Sequence, residues 1–332
     1  MLKGVNELIK TKLYLVYLLT FLTANAALGF ISFGLDSSSL AARDSATALT
    51  APFLVAFAWW AHRQTVDKSS VYLSFLLSHR RKKRRDKVEE RIRVIISENL
   101  RKSFFPVFAL AVFLACFYIL SQDIADTLGD EPKRTFLIAQ AIPMWTTGLF
   151  LLAANVAVLR FIKRHLRKHF RVRLFEIEHL RPLCMLVLHN FFIASVYLCI
   201  FAVSFIFITV TTADVFLLTV FSLIILLVLF QPIFEVHNVV TDKKSKALER
   251  INEVLKKETL ETYSKSATRR LVDSDTKLQF ISDLLTVRSE IEGAPSWPLT
   301  LPFAIKVSFL VFLPLLSWTG AGLVSQAIKQ VL

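Results

Sequence analysis

The sequence has few of the residues from which catalytic or metal sites are built. Only three cysteines occur among 332 residues, Cys116, Cys184 and Cys199, and all lie in apolar blocks without a CxxC pair. They are interpreted as small apolar core residues. His165 and His169 are four residues apart, but cations surround them and no acidic residue lies at ligand spacing. The sequence therefore does not favour a metal site, and no cofactor is expected.

Motifs of catalysis and of coupled transport are also missing. No nucleophile elbow, phosphate-binding loop or pair of carboxylates occurs within the apolar segments. The centres of these segments have no acidic residue of the kind that proton-coupled transporters carry, and no duplicated, broken helices are visible. We therefore expect a protein that is not an enzyme, and transport is disfavoured but stays an alternative.

Long apolar runs are what the sequence does contain. Hydrophobic residues make up 54% of the chain and are gathered into blocks of about 20, the length that a helix needs to cross a bilayer. This pattern predicts an all-α polytopic membrane protein with about seven transmembrane helices and helical cytoplasmic extensions. The predicted spans are 13–33, 46–61, 104–121, 136–158, 183–209, 215–234 and 303–324.

The basic residues predict the orientation. The loop 62–103 has thirteen Lys and Arg against five acidic residues, and the loop 159–181 has eight against two. The three loops on the other side hold only three basic residues together. Because basic loops stay in the cytoplasm, we expect a plasma (inner) membrane protein with its N-terminus in the cytoplasm and its C-terminus outside.

Three regions follow from this layout. Residues 1–236 form a six-helix transmembrane region with the two basic cytoplasmic loops, and residues 301–332 hold the last transmembrane helix. Between them, residues 237–300 carry two amphipathic stretches, which predict a cytoplasmic helical anchor subdomain that contacts neighbouring subunits or a cytoplasmic partner protein. Their apolar positions are Leu248, Ile251 and Leu255, and then Leu278, Ile281 and Leu285.

Two basic clusters are candidate ligand-binding sites. They could fix the topology, bind anionic lipid head groups, or bind a soluble anion such as a nucleotide or oligonucleotide. In a symmetric oligomer, such a face would be repeated around the axis and would form a positive vestibule. The first cluster is Arg80, Arg81, Lys82, Lys83, Arg84 and Arg85, and the second includes Arg160, Lys163, Arg164, Arg167, Lys168 and Arg171.

The last span is the least hydrophobic of the seven predicted spans. Pro314 is expected to kink it, and small and hydroxyl residues follow the proline. Such residues permit close helix packing, and they also suit a narrow pore above leucines that gate by dewetting. The predicted pore face consists of Lys306, Leu310, Leu313, Ser317, Gly320 and Val324.

The layout as a whole resembles the insect odorant-receptor class of tetrameric channels. The shared features are seven spans, short outer loops and long cytoplasmic extensions before the last span. The resemblance implies a tetramer whose last helix lines the pore. The short chain with its basic cytoplasmic face also resembles bacterial membrane effectors of anti-phage defence, in which a nucleotide signal controls a pore. A ligand-gated channel is the first hypothesis. A non-conducting membrane scaffold and an anion transporter are the alternatives.

Overall fold

The computed structural model describes residues 2–31, 39–77, 82–121, 133–169, 180–203, 212–266, 274–294 and 301–331. Helix accounts for 97% of them, and none of them is in a strand, so the prediction of an all-α chain is confirmed. The ten helices are α1 (Leu2–Ala27), α2 (Ser39–Leu77), α3 (Lys82–Lys102), α4 (Phe104–Ser121), α5 (Lys133–Ala139), α6 (Ala141–His169), α7 (Arg181–Val203), α8 (Thr212–Ser266), α9 (Ser274–Gly293) and α10 (Leu301–Val331).

Helix α2 is the centre of the bundle. It packs against α1, α3, α6 and α7, and its apolar surface between residues 46 and 61 consists largely of alanines. Small side chains let neighbouring helices approach closely, and Ala48, Ala58 and Ala61 are completely buried. Leu54, Ala58 and Ala61 share one apolar cluster with Leu151 of α6. The composition of α2 is therefore that of a helix covered by protein.

Polar side chains hold α1, α2 and α5 together at one end of the bundle. The Asn25 amide donates hydrogen bonds to the Ala48 carbonyl at 2.8 Å and to Gln140 Oε1 at 3.2 Å, and Gln140 Nε2 donates back to Asn25 Oδ1 at 2.7 Å. Arg134 Nε donates to Asp44 Oδ2 at 2.8 Å. Because the amide pair is buried and reciprocal, it fixes the relative register of the three helices.

The other end is an apolar core between α2, α3 and α6. Ile92, Ile96 and Leu100 repeat every four residues along α3 and pack in one cluster with Phe161 and Ile162. This spacing places all three side chains on one face of α3, since an α-helix has 3.6 residues per turn. The α3 axis then bends by 47° into α4, whose surface carries several exposed phenylalanines.

The helices alternate in direction. Asn25 of α1 contacts Ala48 of α2 while Phe30 lies beside Ser45, so the two helices run antiparallel. Further shared clusters and contacts give α2, α6 and α8 one direction and give α1, α7 and α10 the opposite one. An up-and-down arrangement of this kind is what repeated crossing of a bilayer requires.

Helix α8 is continuous for 55 residues, where the sequence suggested a span followed by a separate amphipathic helix. Pro232 lies inside it without ending it. Helix α9 folds back along α8, and Lys244 Nζ donates to the carbonyls of Glu292 and Ala294 at 2.7 and 2.8 Å. These carbonyls lie at the negative end of the α9 helix dipole, so the Lys244 ammonium group is attracted to them. This interaction holds α9 against α8.

Within the described residues, four helices are long and apolar enough to cross a membrane, and a fifth is added if the bent α3–α4 pair counts as one span. The four segments are Lys133–His165, Arg181–Val203, Ser222–Leu260 and Pro302–Gly320. The first predicted span corresponds to a shorter apolar helix, Lys12–Ala27. The second predicted span lies in α2, where alanine and threonine lower the hydropathy. These small residues are packed against other helices of the protein. The chain is thus a helical protein with several membrane-compatible helices.

Candidate pore helix and anion-binding end

Helix α10 joins the bundle along one face. Phe303, Val307 and Leu310 are buried against Cys184, Val187 and Phe191 of α7 and against Leu229 and Ile233 of α8. Phe303, Val307 and Leu310 are the only buried residues among the 18 residues of α10 whose burial is described, whereas ten of the 23 residues of α7 are buried. The rest of its surface needs an apolar environment, which lipid or another copy of the chain can supply.

The proline in α10 creates a special contact with α7. Proline has no N–H, so Pro314 leaves the carbonyl four residues earlier, at Leu310, without its helical hydrogen bond. The Ser195 hydroxyl of α7 donates to this Leu310 oxygen at 2.6 Å, and it also approaches the Phe191 carbonyl at 2.8 Å. Ser195 is 3% exposed, so water is a poor substitute for this partner. The proline-containing part of α10 is therefore attached to α7 by a specific hydrogen bond.

The predicted pore residues do not all lie on an open surface. Leu310 is buried against α7, and the Ser317 side chain lies near the Cys199 thiol of α7. Lys306 is exposed, while Leu313 and Gly320 are half-buried. Val324 lies on α10, but its side chain is outside the described part. The predicted face thus borders the α7 contact, and its pore role stays a prediction.

A second face of α10 is fully open. Ile305, Phe309, Phe312 and Leu316 are each at least 58% exposed. They recur at intervals of four, three and four residues, so they form one straight apolar ridge. The ridge lies about a quarter turn away from the predicted pore face, since each residue advances the helix by about 100°. If the pore face points toward an axis, this ridge points toward a neighbouring subunit or lipid.

The described parts of the two basic clusters lie at the same end of the bundle. Arg93 of α3 lies 3.2 Å from Asp67 of α2, and the Arg85 guanidinium lies 4.2 Å from the centre of the Phe75 ring. These contacts make α2 and α3 antiparallel, and they place the start of α3 beside the end of α2. Ile162 packs in the same core as the end of α2, so the C-terminal turns of α6 point to this end as well.

The individual cations have different environments. Arg160 and Arg164 are exposed one turn apart on α6, whereas Lys163 Nζ pairs with Glu235 Oε1 of α8 at 3.1 Å. Arg85 is half-buried through its contact with Phe75. Five further cations of the two clusters lie in helices, but their side chains are outside the described part. Helix α3 contains Lys82, Lys83 and Arg84, and helix α6 contains Arg167 and Lys168. Arg80, Arg81 and Arg171 lie outside the described residues.

The sequence analysis missed Ser195, although the proline offered a signal. A proline within an apolar helix leaves one carbonyl unpaired, and a serine on a neighbouring span is the natural donor. It also missed two buried polar side chains. Thr65 Oγ1 of α2 and Asn155 Oδ1 of α6 are buried without a hydrogen-bond partner in the described part of the chain. The signal for both was a polar residue within or beside an apolar segment.

The described residues contain no group of three or more His, Cys, Asp or Glu side chains that could hold a metal ion. Comparison of the chain with protein-family models, with curated proteins and with solved structures found no match. The function is therefore argued from the geometry alone.

Proposed function

We propose that the chain is one subunit of an oligomeric membrane channel, opened by an anionic ligand that binds the basic end of the bundle. In this proposal seven helical segments cross the plasma (inner) membrane, with the N-terminus in the cytoplasm and the C-terminus outside. The alternating helix directions and the basic residues at one end support this topology. The spans include α1 and the central part of α2, although both are less apolar than the others.

The observation that carries the proposal is the incomplete packing of α10. This helix is long and apolar enough to cross a bilayer, yet its protomer covers one face only. Its open ridge and the adjacent Lys306, Leu313 and Gly320 suit a helix that packs around a symmetry axis. Small residues at such an axis permit close approach of the subunits. In this arrangement Leu313, above Lys306, narrows the pore.

The hairpin of α8 and α9 supports self-association. It extends beyond the apolar half of α8, where lipid does not cover it, but it has large apolar side chains on its surface. Exposed apolar groups of this number in a solvated region mark an interaction surface. A second copy of the chain would bury them, in a tetramer according to the resemblance noted above. The exposed residues are Val254, Leu260, Leu278, Phe280, Leu285 and Val287.

The ligand is inferred from charge. Arg160 and Arg164 are exposed on α6, and the first turn of α3 carries further cations at the same end of the bundle. Phosphate groups bind such clusters and release counterions, so a nucleotide or oligonucleotide fits this end. Repetition around an axis would strengthen the local potential, because each subunit adds the same charges. A signal-controlled effector of anti-phage defence is a setting in which such a channel would act.

Reconstitution in planar bilayers tests the proposal. We expect currents that appear when short single-stranded oligonucleotides are added on the basic side, and cryo-electron microscopy should show α10 around a central axis. The Arg160→Gln/Arg164→Gln variant should weaken binding and reduce the slope of log affinity against log salt by about 1.4, since each lost phosphate contact contributes about 0.7. The Lys256→Gln/Lys257→Gln variant removes the same charge from the exposed surface of α8 and should bind normally.

Two outcomes would favour the alternatives. A stoichiometric partner protein bound to the hairpin, with no conductance and no central axis, would indicate a membrane scaffold. An anion transporter requires a polar cavity inside each protomer. The cavity beside Asn155 has a volume of only about 20 Å³, which is close to the space of one water molecule. This cavity is too small for an organic anion.

A further inference from the structure

A cavity of about 250 Å³ separates α7, α8 and α10. Its lining is almost entirely apolar and includes Leu226 and Leu229 of α8 and Val311 of α10. None of the described residues that line it is charged, and the polar atoms come from residues such as Ser195 and Trp318. Apolar cavities of this kind exclude water, and a cavity of about 150 Å³ is already large enough for benzene. This space can therefore hold a hydrocarbon group larger than benzene.

The cavity lies beside the proline of α10. Pro314 lines it directly, and Leu310, whose carbonyl accepts the Ser195 hydrogen bond, lies on the same wall. This hydrogen bond holds α10 against α7 about one turn before the proline. Alanines at 194 and 202 of α7 are too short to fill the remaining space.

The position of the cavity indicates its occupant. All three helices around it are among those long and apolar enough to cross a membrane. Leu223 lines the cavity and is 56% exposed, and Thr219 beside it is also exposed. The cavity therefore reaches the outer surface of the bundle at α8. In a bilayer this surface faces lipid tails, which are the most abundant apolar groups there.

We propose that this cavity binds one acyl chain of a membrane lipid. The chain enters beside Leu223 and ends against Pro314 and Trp318. It supplies the dispersion contacts that an empty apolar cavity lacks. The inference rests on the membrane placement proposed above, but it does not depend on conduction or on the anionic ligand. A lipid tail at this place would pack against α10 beside Pro314.

Fluorescence of Trp318 provides the test. Trp59, Trp60, Trp145 and Trp297 are replaced by Phe, and the full chain is reconstituted in phosphatidylcholine with tails brominated at mid-chain, because bromine quenches indole on contact. We expect quenching of Trp318 that saturates at one brominated lipid per chain. Ala194→Leu, which fills the cavity, should retain about tenfold less lipid. Ala109→Leu on the exposed surface of α4 is the matched control and should behave like the parent.

Native mass spectrometry of the unsubstituted chain provides an independent readout if the filled variant does not fold. One lipid per chain should persist after extensive detergent exchange. Equal quenching and equal lipid retention in Ala194→Leu and Ala109→Leu would overturn the proposal. A medium-chain alcohol that binds the cavity without displacing any lipid would also overturn the proposal, because the cavity would then be a site for a free apolar molecule. A reconstituted chain that retains the lipid but carries no current would contradict the channel proposal. The lipid-site proposal would remain valid.

Discussion

The hydrogen bond between Ser195 and the Leu310 carbonyl can be tested by a double-mutant cycle. Ser195→Ala removes the hydroxyl and leaves the carbonyl opposite Pro314 buried without a donor. Pro314→Ala restores the backbone N–H, so the carbonyl regains its helical partner and no longer needs the serine. The effect of the serine substitution must therefore depend on the residue at 314.

The structure sets the size of the effect. A buried carbonyl that loses its partner costs about 1–3 kcal/mol, but hydrogen bonds between transmembrane helices average about 0.6 and reach about 1.7 kcal/mol. The 2.6 Å distance and the burial of Ser195 place this bond in the upper part of that range. We expect Ser195→Ala to lower the free energy of unfolding by about 1–1.5 kcal/mol in the Pro314 background and by a few tenths with alanine at 314.

Unfolding in mixed micelles with increasing sodium dodecyl sulfate, followed by circular dichroism, measures these differences. Ser308→Ala is the matched control, because it removes an exposed hydroxyl from α10 and should change the free energy by less than about 0.5 kcal/mol. Equal costs of Ser195→Ala in the two backgrounds would refute the reasoning, since the serine would then act through packing alone.

Other substitutions test the packing of the bundle with the same unfolding measurement. A Cβ atom on Gly148 would lie 2.5 Å from the Tyr197 hydroxyl oxygen, so Gly148→Ala should cost about 1–3 kcal/mol, and Tyr197→Phe should recover most of it. Gly320→Ala meets no atom within 4 Å and should be nearly neutral; a large loss there would show an unseen contact. Asn25→Ala should destabilise by about 1–3 kcal/mol because it leaves the buried Gln140 amide unpaired. Replacing Asn25 and Gln140 together by Leu should cost less than Asn25→Ala alone, and a larger cost would contradict the pairing argument.

The sequence predicted an all-helical chain because long apolar runs and helical spacing are local properties. Of the seven predicted spans, four or five meet the length and hydropathy of a membrane helix in the described residues. The two amphipathic stretches after the sixth span are part of α8 and α9, and the basic segment before the third span is helix α3. The turn between α8 and α9 lies outside the described residues. Continuity of α8 was not predicted, because a change from apolar to charged residues looks like a boundary even when the backbone continues.

Long-range pairs could not be predicted. Ser195 and Leu310 are 115 residues apart, and so are Asn25 and Gln140. Each member has many possible partners, and the packing of several helices decides which one it meets. The same reason limited the prediction of the pore face. Periodicity grouped Leu310 and Ser317 with Lys306, but only the packed bundle shows that the first two contact α7.

The continuity of α8 also has a mechanical consequence. At about 1.5 Å per residue, the segment from Pro232 to Ser266 extends about 50 Å. A rigid rod of that length multiplies small rotations, so a tilt of about 10° at Pro232 would displace its tip by about 9 Å. Lys244 fastens the end of α9 to this rod, so both helices of the hairpin would swing together. A small adjustment among the apolar helices would thus become a large displacement at the distant tip, without any unfolding in between.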